Sequence, residues 1–237
     1  LFKDKDSFNE NISDWNTGNV KTMVGMFKNA IMFNKDISKW NVTNVGLMLE
    51  MFMGAKNFNQ DISNWERDEE QDEDGNIVKP KSTLGNVREM AGMFWGATRF
   101  NNGSVTMHPH ATNHPLNNWN TPSLWNMEWM FRDAIEFNQD ISEWNIQPQQ
   151  QANRPTRMTG MFLGAKKFNQ DISNWNVSRV KNMSQLFKNA ESFNQNISNW
   201  EREPKTDTDD NIVEPASTLG NVTHMTEMFM GASDFNK

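Results

Sequence analysis

Apolar residues return along this chain in two phases. In the first, a stripe is spaced by threes and fours: Val20, Met23, Met26, Phe27 and Ala30. It recurs as Val45, Met48, Met51, Phe52 and Ala55 and as Val180, Met183, Leu186, Phe187 and Ala190. That spacing predicts one face of a short amphipathic helix. Asn19, Asn44, Asn86 and Asn221 stand before the stripe, where an N-cap belongs. Asn29, Gly54, Gly96, Asp133, Gly164, Asn189 or Gly231 precedes the alanine, and these residue types tolerate the left-handed backbone that ends a helix. In the second phase, stretches such as Ser38-Lys39-Trp40-Asn41-Val42 alternate with period two and predict a short strand. Trp15, Trp40, Trp65, Trp119, Trp144, Trp175 and Trp200 then point inward as a stack, and their immediate neighbours point outward.

The two phases alternate because the chain repeats. Phe-Asn recurs at Phe8, Phe33, Phe58, Phe100, Phe137, Phe168, Phe193 and Phe235, and the uninterrupted unit is 25 residues. A fixed period of that size predicts an α/β solenoid, one short parallel strand plus one short helix per unit, each unit burying its apolar face on its neighbours. An all-β solenoid without the helix is the alternative. Residues 1–237 read as one array, interrupted near 66–83, 102–115, 146–155 and 201–218 by loop or hairpin insertions. The Asn after each Phe (Asn9, Asn34, Asn59, Asn138, Asn169, Asn194) is expected to form a ladder that satisfies turn backbone in its own and the next unit. Both ends fall inside a unit, which reads as a fragment of a longer chain. Met23–Asn102 and Met158–Lys237 align without a gap at an offset of 135, with 45 of 80 positions identical. This tandem duplication suits a rod.

The motifs Phe58-Asn59-Gln60-Asp61-Ile62-Ser63-Asn64-Trp65 and Asn182-Met183-Ser184-Gln185-Leu186-Phe187-Lys188-Asn189-Ala190 resemble the bacterial surface-protein repeat of about 25 residues common in mycoplasma surface lipoproteins. That repeat is related to the BspA-like class of leucine-rich repeats. The resemblance covers the chain apart from its insertions. It implies a right-handed strand–helix superhelix, extracellular or cell-surface exposure, and a role in adhesion or recognition.

Composition narrows the functions further. The net charge of −7, with both signs mixed along the chain, disfavours nucleic acid, whose phosphates require a basic face. No run of 18 apolar residues is present, so this segment spans no membrane. Cysteine is absent, which removes disulfide and thiolate chemistry. No Gly-rich phosphate loop, metalloprotease helix motif or nucleophile elbow occurs, and the expectation is a protein that is not an enzyme.

Three features carry candidate chemistry. The two acidic insertions place oxygen ligands at alternating positions, Asp72, Asp74 and Asn76, then Asp207, Asp209 and Asn211. Calcium favours such sets, yet the EF-hand glycine and final glutamate are missing, and a solvated hairpin turning at Asp74-Gly75-Asn76 is the favoured reading. His108, His110 and His114 cluster in one insertion, as a zinc-type site or as a polar loop. Trp125 and Trp129, four residues apart, suit an exposed patch that stacks on sugars or docks a protein, or else they pack beneath a loop.

Two functions follow. One is a structural rod or filament with an adhesion role, partnered by further copies or by neighbouring or host surface proteins and glycans. The other is a recognition scaffold whose protein or glycan ligand crosses the outward face at Asp14, Asn16, Lys39, Asn41, Asn64, Glu66, Glu143, Asn145, Asn174, Asn176 and Asn199. The row before each Trp is monotonous, which favours the rod.

Overall fold

Each unit lies on the next and bonds to it in register. The computed structural model describes residues 1–68, 70–71, 77–79, 81–103, 116–147, 154–206, 212–214 and 216–236. Parallel bridges pass from unit to unit, Thr22 to Leu47, Leu47 to Glu89, Glu89 to Asn126 and Asn126 to Arg157, then Asn182 to His224. The same residue of successive units donates along this ladder. Phe27 N–H bonds Met51 O at 2.8 Å, Phe52 bonds Met93 O at 2.8 Å, and Phe94 bonds Met130 O at 2.8 Å.

The stretch whose spacing predicts a helix is a run of tight turns; among the described residues there is no α-helix. Within the unit the bonds close over three residues, as in Met26 N–H to Met23 O and Ala30 N–H to Phe27 O. The N–H groups between them leave the unit for the next one, so no continuous helical ladder can form. The cause lies in the backbone. Left-handed residues occur twice per unit, four apart: Gly25 and Asn29, Glu50 and Gly54, Gly92 and Gly96, Trp129 and Asp133, Gly160 and Gly164, Gln185 and Asn189, Glu227 and Gly231. The second of each pair is the residue that the sequence marks as a stop. The first, four residues earlier, breaks any right-handed helix at its centre.

The Ser-x-Trp-Asn segments also differ from the expected strand. Each is a corner in which the Trp N–H bonds the Ile carbonyl three residues back, as Trp40 to Ile37 at 3.1 Å. Ser63–Trp65 and Ser198–Trp200 tighten this corner into single 3-10 turns. Strands occur in the acidic insertions. β1 (Glu70–Gln71) pairs antiparallel with β2 (Ile77–Lys79), and β3 (Lys205–Thr206) with β4 (Ile212–Glu214).

Two columns of phenyl rings form the centre. Phe27, Phe52, Phe94, Phe131, Phe162, Phe187 and Phe229 stack at 5.5–5.8 Å between successive rings. Phe8, Phe33, Phe58, Phe100, Phe137, Phe168, Phe193 and Phe235 stack beside them at 5.7–6.1 Å. Sequence separations of 25, 31, 37 and 42 residues yield nearly the same ring spacing, so the insertions leave the stack undisturbed. Trp40, Trp65, Trp119, Trp144, Trp175 and Trp200 are buried, whereas Trp15 is 43% exposed. The indole N–H of Trp40, Trp65, Trp175 and Trp200 reaches back to the Ile carbonyl of the preceding unit at 2.9–3.1 Å, and that of Trp144 to Leu116 O. Each fully buried ring contributes on the order of 1.5–3 kcal/mol, with stacking adding about 0.5–1.5 kcal/mol.

The Phe-Asn asparagines form the expected ladder. Asn34 N–H donates to Asn9 Oδ1, Asn59 to Asn34, Asn101 to Asn59, Asn138 to Asn101, Asn169 to Asn138 and Asn194 to Asn169, all at 2.8–2.9 Å. One side-chain oxygen per unit thereby locks the next unit in register.

Candidate functional site

The residues flanking each Trp lie on the corner turns. Asp14, Lys39, Asn64, Glu143, Asn174 and Asn199 are exposed and form one outward row. The row after the Trp is committed to its own backbone. Asn16, Asn41, Asn145 and Asn176 each accept from the N–H two residues on, at 3.0–3.2 Å. Such Asx turns are what Asn does best in a tight bend. Asn176 is further engaged, accepting from Gln147 Nε2 at 2.6 Å and donating to Ala216 O at 2.8 Å. The repeat-borne carboxylates behave alike, with Asp36, Asp61, Asp140 and Asp171 accepting from the Ser N–H two residues on.

Glu66 is half-buried and closes the base of the first acidic hairpin. Its Oε2 accepts from Leu84 N–H at 2.8 Å and Thr83 Oγ1 at 3.2 Å. Glu201 makes the same contacts to Leu219 and Thr218 in the second. Below each hairpin an antiparallel bridge joins Arg67 to Ser82 and Arg202 to Ser217.

These two arginines are the residues that sequence reasoning passed over. The Arg67 guanidinium donates to the carbonyls of Asn64 at 2.7 Å, Trp40 and Lys39 at 3.2 Å and Ser38 at 3.3 Å. Arg202 repeats the pattern on Asn199, Asn174, Trp175 and Ser173. One planar fork thus clamps two consecutive corners. Burial lowers the Arg67 pKa from its ordinary value. The recurrence of Glu-Arg at the same point of both insertions was the available signal.

Trp125 and Trp129 occupy different surroundings, and no ring contact joins them among the described residues. Trp125 is half-buried beneath Arg154 and Arg157, whose Cζ atoms lie 4.7 and 5.8 Å from its ring. Trp129 is 36% exposed and faces Trp95 at 6.3 Å. Arg132 stacks on Trp95 at 4.2 Å.

The calcium candidates Asp72, Asp74, Asn76, Asp207, Asp209 and Asn211 lie outside the described residues, as do His108, His110 and His114. Among the described residues no group of three His, Asp or Glu side chains is placed to hold a metal ion. No helix among them is long and apolar enough to cross a membrane.

Short units that recur along the chain, each bonded in register to the next, define a repeat protein. The chain belongs to the family described as Mycoplasma protein of unknown function, DUF285, whose model matches residues 1–83, 81–154 and 103–218. No curated protein and no solved structure matches it.

Proposed function

We propose that the chain is a length of an elongated, right-handed solenoid akin to the leucine-rich repeats. It would serve as a non-enzymatic structural element of the cell surface, holding adhesive contacts away from the membrane. One observation carries this reading: the Phe-Asn amides and the side chains after the tryptophans are spent on bonds within the array. The Phe-Asn amide locks the next unit, Asn16, Asn41, Asn145 and Asn176 after their tryptophans accept from their own turns, and Glu66 and Glu201 at the same position accept from Leu84 and Leu219. A ligand laid along the corners would meet side-chain oxygens of the row after the Trp that are already bonded, which weakens the reading of that row as a recognition face. The partners proposed are further copies of the chain and neighbouring or host surface proteins or glycans, with the acidic hairpins as calcium-responsive arms.

A concentration series by sedimentation velocity with negative-stain microscopy tests this. Particles elongated along one axis, lengthening by association as concentration rises, are expected. A compact monomer at every concentration would sink the filament. Adding calcium is expected to change the frictional ratio; an unchanged ratio removes the calcium arm.

A further inference from the structure

We propose that Met32 is a modification site for peroxides, and that its sulfoxide tightens the joint between its own unit and the next. The inference stands whether or not the array elongates or serves the cell surface. Met48, Met51, Met90 and Met93 are fully buried in the core, whereas Met32 is 49% exposed although Phe33 beside it is fully buried. Core packing therefore does not account for a methionine at this position. Nor does the repeat: the residue before the Phe-Asn pair is polar in the seven other units, as in Asn57, Arg99, Glu136 and Lys167.

Side chains of this column meet across the unit boundaries. Lys167 Nζ pairs with Glu136 Oε2 at 2.5 Å. At the Met32 joint, Asn57 Nδ2 donates to Met32 Sδ at 3.4 Å. Among the described methionines, Met32 is the one whose sulfur accepts a hydrogen bond. A thioether is a weak acceptor, so this joint is held less firmly than the ion pair farther along the column.

Oxidation changes that. A lone pair of the exposed sulfur attacks the terminal oxygen of a peroxide and the O–O bond breaks. The proton of the transferred hydroxyl passes to the leaving oxygen, which departs as water or an alcohol. Sulfur loses two electrons and the peroxide gains them. The product is polar and carries an S–O oxygen, a stronger acceptor than the sulfur it replaces. The Asn57 amide already lies at that sulfur, and rotation of two flexible side chains brings its N–H onto the new oxygen. The modified residue then suits a column that is polar in the other units. The same oxygen added to Met48 or Met93 would be a buried acceptor in a close-packed core, where it has neither room nor partner.

Hydrogen peroxide treatment of the whole chain, followed by peptide mass mapping, tests the site. Met32 is expected to convert roughly tenfold or more faster than Met48 and Met93. The joint is tested in a chain carrying Met107→Leu, Met225→Leu and Met230→Leu, from which the species oxidised at Met32 alone is purified. Its melting temperature is expected to rise by about 1–3 °C on oxidation. Met32→Gln, which places a polar acceptor there without an oxidant, is expected to give a similar rise. Asn57→Ala in the same chain removes the donor and is expected to abolish the rise while Met32 still oxidises. A Met32 that oxidises no faster than Met48, an unchanged or lower melting temperature after oxidation, or a rise that survives Asn57→Ala would each overturn the proposal.

Discussion

Asn34 holds two donors at once. Its Oδ1 accepts from Asn59 N–H and from Gln60 Nε2, both at 2.9 Å. Replacement by alanine leaves a part-buried N–H without its acceptor, which costs about 1–3 kcal/mol. Asn34→Asp retains the acceptor and is expected to lose less than half as much in urea denaturation. The left-handed positions make a second residue-scale argument. Gly54, at φ +71°, sits against the Asn29 carboxamide, and a Cβ there would collide with Asn29 Oδ1. Gly54→Ala should therefore destabilise by more than the roughly 1 kcal/mol of backbone strain, with Asn29→Gly recovering the excess. Glu227 supplies a pH dependence. Bonds from Lys188 and Gln185, then the Lys188 charge, hold its carboxyl below the usual carboxylate range. A depressed value means that the carboxylate stabilises the fold above its unfolded pKa and loses that contribution as pH falls through the folded one. Glu227→Gln is expected to remove that contribution at neutral pH and so to flatten the stability profile, converging on the parent as pH falls below about 4.5.

At the scale of elements, the acidic hairpin is the part whose anchor was least visible. Arg67 bonds four carbonyls on two corners. Lysine keeps the charge but not the fork, so Arg67→Lys is expected to cost about 1.5–3 kcal/mol and to speed exchange of the Arg67 and Ser82 amides, which close the hairpin base. The core positions were legible in the sequence: Val45, Met48, Met51, Phe52 and Ala55 are all fully buried. Their backbone was not. A chain of three-residue turns buries the same spacing of side chains as a helix does, so hydrophobic period cannot separate the two. Glycine at the first left-handed position would have separated them, but Glu50, Trp129, Gln185 and Glu227 occupy it in four units and hide the signal. The outward rows were legible as rows. That Asn16 and Asn41 spend their oxygens on their own turns depends on corner geometry, which a strand assignment does not contain.

The whole molecule is governed by register. Phe33-Asn34 and Phe58-Asn59 present the same ring and the same amide to the units on either side. Removing residues 33–57 would set Phe58 on Phe8 and Asn59 N–H against Asn9 Oδ1, the contacts that Phe33 and Asn34 make now. Nothing in the columns records which unit is missing, because each interface is made of the same parts. The shortened chain is therefore expected to fold and to unfold cooperatively, with a denaturant m-value smaller by roughly one-tenth, since m scales with the surface exposed on unfolding. Deleting 33–44 instead leaves the Val45 turn without Phe33, Asn34 and Trp40 beneath it. That breaks the Phe33 column, the Trp40 corner and the amide ladder at one point, so an unfolded or two-stage product is expected. If the 25-residue deletion were as damaging as the 12-residue one, stability would reside in contacts between distant units, and the nearest-neighbour account of the stack would fail. Circular dichroism of the parent chain checks the same account from the backbone side: a helical double minimum would contradict turns whose alternate N–H groups leave for the next unit.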